Sequence, residues 1–112
     1  MIARIWRGRA TSQNAEIYAE HATKRVFPGL QKIAGHRGAY LMRQETAGQV
    51  EFLVMTLWDS WEAVHAFAGA SPEVAVVEPD ARAVLTEFDE FVSHYVVASG
   101  APGLAAALRG KT

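Results

Sequence analysis

The stretch Val50 to Trp58, VEFLVMTLW, constrains the fold more than any other part of the chain. Side chains alternate between the two faces of a sheet along a strand. Val50, Phe52, Val54, Thr56 and Trp58 then share one face, and Leu53, Met55 and Leu57 share the other. Phe91 to Ala98, FVSHYVVA, repeats the pattern: Phe91, Tyr95 and Val97 oppose Val92 and Val96. A sheet with one wet face alternates apolar and polar residues. These strands do not, so both faces of their sheet need cover.

The remaining elements follow from periodicity and punctuation. Met1 to Gly8, MIARIWRG, reads as a first strand closed by Gly8, with Ile2, Arg4 and Trp6 on one face. Thr11 and Ser12 offer N-cap oxygens to a helix whose apolar stripe includes Ala15, Tyr18, Ala22, Val26 and Leu30. Pro28 is expected to kink or end that helix, since it lacks an amide donor and crowds the preceding turn. His36 to Glu45 and Val50 to Trp58 form a hairpin across Thr46 to Gln49. Asp59 and Ser60 cap a second helix that stops near Gly69, a short helix is expected over Pro79 to Glu87, and Phe91 to Ala98 is the fourth strand. The order β-α-β-β-α-β is the ferredoxin-like split βαβ: an α+β domain with a four-stranded antiparallel sheet and its main helices on one face. Two helices cannot cover both faces, and a bare apolar face of many hundreds of Å² is unusual for a monomer. A second copy of the sheet, packed in two-fold symmetry, is the simplest cover. A monomer covered by its own C-terminal tail is the alternative. Residues 1–98 read as the domain and 99–112 as a flexible tail, in which Leu104 to Arg109 could form a helical turn or two.

Composition removes several classes of function. A chain of 112 residues is one domain. Lys plus Arg is 11 and Asp plus Glu is 12, so no positive surplus drives nucleic-acid or membrane-surface binding. Cysteine is absent, which excludes disulfides, thiolate nucleophiles and Cys-based metal sites and fits a cytoplasmic protein. No apolar run reaches the roughly 18 residues of a membrane span, and the N-terminus reads as a strand rather than a signal peptide. No GxGxxG, phosphate-cradling loop or G-x-S-x-G elbow is present.

The βαββαβ order, VEFLVMTLWDSWEAVHAFAG and FDEFVSHYVV resemble the antibiotic biosynthesis monooxygenase domain family, over about residues 1–98. AVVEPDARAVL and FPGL with GHRGAYLM are also similar to family segments. The resemblance implies a dimeric α+β barrel. In activity the family spans cofactor-independent oxygenases of polycyclic phenols, haem-degrading enzymes and members without known activity. The haem-degrading pattern places an Asn on the first strand, a Trp on the helix after the third, and a His about ten residues later. Arg4 or Trp6, Phe67 and Val77 stand near those places here. The aromatic-oxidising pattern has a Trp ending strand three, matched by Trp58, and a Tyr on the next helix, where this chain has Val64.

Candidate site residues are polar groups on otherwise apolar elements. His94, on the Val92/Val96 face, could serve as a base or as a structural hydrogen-bonding group. His21 sits at the border of the first helix's stripe and could face a pocket or solvent. Arg4 needs a partner on its apolar strand: a ligand phenolate, carboxylate or reduced oxygen species, or an ion pair with Glu51 or Glu90. Trp6, Tyr18, Phe27, Trp58 and Phe67 could line an aromatic-binding cavity or simply fill the core. Glu62 and His65 have ExxH spacing, but a di-iron site needs two such pairs, so no metal is expected. The resulting expectation is a dimeric monooxygenase of a small aromatic or polyketide-like substrate that needs no cofactor. The catalytic residues would be His21, His94 and Arg4, and the alternatives are a haem-binding protein or a non-catalytic dimer that binds a small hydrophobic ligand.

Overall fold

β1 (Ile2–Thr11) runs three residues beyond Gly8, where the sequence suggested a stop. Its whole length pairs antiparallel with β3 (Gln49–Trp58), from Ile2 opposite Trp58 to Thr11 opposite Gln49. An ion pair from Arg9 to Glu51 at 3.2 Å, and a second from Arg9 to Glu87, hold that far end. The chain is described here by a computed structural model over residues 1–100, so most of the tail expected over 99–112, including Leu104 to Arg109, lies outside the described residues.

Thr11 caps the first helix, its hydroxyl accepting the Asn14 amide at 3.2 Å. The helix then runs in three sections: α1 (Ser12–His21), a π turn (Ala22–Val26) and α2 (Phe27–Leu30). In the π turn the Phe27 amide reaches back five residues to the Ala22 carbonyl. Pro28, which has no amide, follows directly, so the helix absorbs it and ends at Leu30 instead of breaking there.

β2 (His36–Thr46) and β3 form the expected hairpin, and α3 (Trp61–Ala68) starts at Ser60, whose hydroxyl accepts the Ala63 amide. α4 (Pro79–Val84) is shorter than expected. Leu85 is already extended, and the Thr86 amide donates to the Arg9 carbonyl, which draws the chain into the sheet. The expected fourth strand is broken into β4 (Glu87–Phe88) and β5 (Ser93–Val96), both antiparallel to β1. Between them the chain bulges out to bond a neighbouring segment: the Val92 amide donates to Glu73 O and the Ala75 amide to Glu90 O, both at 2.9 Å. The sheet order β2-β3-β1-β4, with β5 also on β1, is the ferredoxin-like one.

The helices pack on the inner face in two clusters. Ala15, Tyr18 and Ala22 meet Val50, Phe52, Ala10 and Ala81, while Ala63, Val64 and Leu30 meet Ile2 and Trp58. Phe27 borders both. On the outer face Ile5, Leu53, Met55 and Leu57 are only half-buried, and Met42 and Tyr95 are exposed. The two-sided apolar character of the sequence is thus present, with the described helices all on one side.

The β2–β3 turn places both central residues at positive φ, Ala47 at 51° and Gly48 at 79°. This is the two-residue turn that matches strand twist, and it favours Asn-Gly. Alanine in the left-handed region carries a steric cost of roughly 1–2 kcal/mol. Ala47→Asn is expected to stabilise the protein by about 0.5–1 kcal/mol. Thermal unfolding should show a midpoint rise of roughly 2–6 °C. An unchanged or lower midpoint contradicts the turn geometry.

Candidate active site

A cleft lies between the two core clusters. Its floor is the middle of β1 and β3 (Arg4, Trp6, Val54, Thr56), and one wall is the first helix (Tyr18, His21, Ala22, Val26, Phe27, Leu30). Phe67 of α3, the segment Val76 to Glu78, Ala81 and Val92 complete it. The cavity measures about 110 Å³. An engineered cavity of about 150 Å³ takes up benzene, so this one is on the scale of a single ring.

Six of the eight expected site residues line this cleft: Arg4, Trp6, Tyr18, His21, Phe27 and Phe67. The sequence brings them there for separate local reasons. The π turn begins just after His21 and carries Ala22 and Val26 onto the cleft. The six-membered ring of Trp6 reaches over Gly8, where a Cβ would come within 2.5 Å of the indole, and its Nε1 donates to Asp89 O at 2.8 Å. Only glycine permits that close approach. Trp58 and His94 do not line the cleft. Trp58 is fully buried; its indole Nε1 donates to the Thr56 hydroxyl at 2.9 Å, and its ring stacks on Phe67 at 5.3 Å. It therefore backs the cleft wall.

Arg4 is buried and has no carboxylate partner among the described residues. The ion pair with Glu51 or Glu90 does not form: Glu51 lies on the outer face of β3 opposite Arg9, with which it pairs, whereas Arg4 faces the cleft. Instead Arg4 Nη1 donates to Pro72 O and to His94 Nε2 (3.0 Å), and Nη2 donates to Val74 O at 3.1 Å. The guanidinium also sits 5.5 Å from the centre of the Phe67 ring. Burial lowers its pKa, but guanidinium remains charged. His94 accepts from Arg4, which fixes its Nε2 as the unprotonated nitrogen. Desolvation, and then the Arg4 charge, hold its pKa below the ordinary value. His94 is thus an acceptor that orients Arg4.

His21 is the imidazole of the cleft. Its side chain is 8% exposed, and its buried Nε2 has no hydrogen-bond partner among the described residues. The nearest charge is Glu78 Oε1 at 3.9 Å, too far for a hydrogen bond. Tyr18, 5% exposed, has its hydroxyl pKa pushed well up by burial, so it stays neutral. Sequence reasoning did not single out Thr56 or Glu78. Thr56 carried a signal, as the one hydroxyl on the apolar inner face of β3; Glu78 carried none, since it lies in a connection. The Glu62/His65 spacing is explained locally, with the His65 ring bonded to the Gly69 carbonyl at 3.0 Å.

The depressed pKa of His94 ties stability to pH. Below its ordinary value of 6.5 the unfolded chain takes up protons that the native chain refuses. This contribution is complete above about pH 6.5 and is lost as pH falls toward the native pKa. His36, lowered chiefly by desolvation, adds in the same direction. Denaturant unfolding should show stability falling from pH 7 to 5, with a shallower fall in His94→Gln, which retains an acceptor for Arg4. An equal fall in that variant would show that His94 is not the linked group.

No protein-family model matches the chain, and no curated protein matches it in sequence. Solved structures do match. A candidate antibiotic biosynthesis monooxygenase from Bacillus cereus superposes with a TM-score of 0.66 at 19% identity, covering 91% of this chain and 97% of its own. SnoaB, a cofactor-independent oxygenase from Streptomyces nogalater, gives 0.60 at 17% identity, over 91% and 97%. MhuD, the haem-degrader of Mycobacterium tuberculosis solved with two haems in its active site, gives 0.58 at 19% identity, over 90% and 99%. At these identities the likeness carries the fold alone. In that fold, a ferredoxin-like α+β sheet with its helices on one face, the chain is a structural relative of the antibiotic biosynthesis monooxygenases.

Proposed function

We propose that the chain is a cofactor-independent monooxygenase of the antibiotic biosynthesis type that acts on a small, electron-rich aromatic substrate. One observation carries the reading: a buried guanidinium with no carboxylate partner among the described residues stands on the floor of an aromatic cleft of about 110 Å³. Such a charge stabilises negative charge that develops beside it in a low-dielectric site. The cleft size favours the single-ring end of the aromatic range. Trp6, Tyr18, Phe27 and Phe67 hold the ring, with Trp58 supporting Phe67 from behind. His21 Nε2 takes the phenol proton, Arg4 stabilises the anion, and His94 positions Arg4. The anionic ring then reduces O2. One oxygen atom becomes a ring carbonyl, displacing the ring hydrogen, and the other leaves as water with that hydrogen and the phenolic proton. The phenol is thereby oxidised by four electrons to a quinone, so no external reductant is consumed.

The apolar outer face supports the rest of the reading, a homodimer packed sheet to sheet. The lack of cysteine is in keeping with a cytoplasmic location. Among the described residues no helix is long and apolar enough to cross a membrane.

Haem, the group bound by one structural relative, does not fit these residues as they stand. Pockets for drug-sized ligands run to roughly 300–1,000 Å³, several times this cavity. Phe67 and Val77 line the cleft where the resemblance to haem degraders would call for Trp and His. Titration with haemin is expected to leave its Soret band as in buffer; a sharpened, shifted band at one equivalent would overturn this.

Oxygen-electrode assays with electron-rich single-ring phenols test the oxygenase reading. Uptake is expected without added cofactor. His21→Ala should lower kcat by roughly 10²–10⁴-fold, the span of general-base contributions, and Arg4→Ala should also lower it. No uptake with any such phenol, or full turnover in both variants, defeats the proposal.

A further inference from the structure

Thr56 receives a hydrogen bond on the cleft floor and gives none. The residue is 6% exposed and lines the cleft. Its Oγ1 accepts from Trp58 Nε1 at 2.9 Å, and an indole nitrogen only donates. The hydroxyl has one proton of its own to give. Thr23 and Thr86 give theirs to backbone carbonyls, of Ala19 at 2.8 Å and of Arg9 at 3.1 Å. The Thr56 proton reaches no acceptor among the described residues. A buried donor left in this state is costly unless a ligand or water takes it. Trp58 is fully buried and stacked on Phe67, so its indole holds one side of the Thr56 oxygen. The proton is left to the other sides, and the open space beside Thr56 is the cleft.

Strand register sets a positive charge beside this donor. Arg4 on β1 is directly opposite Thr56 on β3, and both line the cleft. Side chains of directly opposite residues start about 4.5–5.5 Å apart. Nη1 and Nη2 of Arg4 are held by Pro72, Val74 and His94, while its Nε–H makes no hydrogen bond among the described residues. From this geometry we infer that Thr56 is a further catalytic residue: its hydroxyl donates to the phenolate oxygen whose charge Arg4 stabilises. The two side chains form an oxyanion site on the cleft floor. A phenolate oxygen has no proton of its own to place and accepts from both donors at once. A hydrogen bond to an ionised acceptor is roughly twice as strong as one to a neutral acceptor. The pair therefore favours the ionised ring over the neutral phenol and lightens the work of the base. Valine would fill nearly the same volume at this position, and the hydroxyl is what the oxyanion requires. The assignment rests on the reading of this cleft as a small-phenol site.

Titration of the full chain with para-nitrophenol, a single ring whose anion is yellow, tests it at pH values above and below the ionisation of the free probe. The protein should bind the anion more tightly than the neutral phenol. Thr56→Val should weaken binding of the anion about 10-fold, the scale of one charge-assisted hydrogen bond, and of the neutral form by less than about threefold. Thr56→Ser keeps the hydroxyl and should stay within about threefold of the parent for both forms. If Thr56→Val fails to fold because Trp58 Nε1 loses its acceptor, Thr56→Val with Trp58→Phe removes both partners of that bond and carries the same expectation. Anion binding that survives the loss of the hydroxyl overturns the inference, as does an equal loss in Thr56→Ser; either leaves the oxygenase reading standing. A hydroxyl-dependent preference for the anion, without oxygen uptake from any phenol, upholds the inference and overturns the oxygenase. Failure of both forms of the probe to bind overturns both.

Discussion

The guanidinium of Arg4 is the charge around which the rest of the site is arranged. A buried cation is tolerated only when its donors are satisfied. Three neutral acceptors do this: the Pro72 and Val74 carbonyls and His94 Nε2. Each comes from a different part of the chain than β1, so one side chain ties the sheet centre to the α3–α4 connection and to β5. That connection carries Val76, Val77 and Glu78 onto the cleft. Had Arg4 found a glutamate, the ion pair would have fixed β1 equally well. It would also have neutralised the charge, leaving the cleft no field with which to stabilise an anion.

The position of the cleft follows from how the inner face of β3 is divided. Val50 and Phe52 at one end and Trp58 at the other are fully buried in the two clusters, whereas Val54 between them is only half-buried. The first helix crosses both clusters and must change its pitch to do so. The π turn makes that change, with His21 at its start and Phe27 at its end. Turns of this kind recur at functional sites because they reorient side chains without breaking the helix. Here Pro28 gives the local cause, and the exposure of His21 to the cleft is the consequence.

What could be read in the sequence was what local rules decide. The caps at Thr11 and Ser60, the hairpin, the element order and the apolar outer face all follow from spacing within one or two elements. Six of the residues named from the sequence line the cleft, since polar or aromatic residues on an apolar stripe have few places to go; their roles there are part of the proposal. The broken fourth strand did not, because its bulge answers to hydrogen bonds with Glu73 and Ala75, and carbonyl and amide partners leave no mark on residue type. The same reason hid the partners of Arg4, which lie 68 to 90 residues away. His94 was recognisable as a perturbed imidazole, but only geometry shows that it faces the guanidinium and not the cavity. Glu78 was invisible, a charged residue in a connection being ordinarily a solvated one.

The cavity itself carries the last step. A space of about 110 Å³ stays open between the two clusters where packing could close it. Filling it would be simple: Ala22 and Ala81 border the cavity, and larger apolar residues at either position would occupy it. The chain keeps small residues there, and among the described residues the imidazole on one wall has no hydrogen bond at Nε2 and the cation on the floor has no carboxylate partner. Each is unfavourable alone, and no packing argument explains the three together. A ligand that fills the space, donates to the imidazole and presents negative charge to the arginine removes all three costs at once. Local violations that share one remedy mark a binding site more strongly than any single residue does.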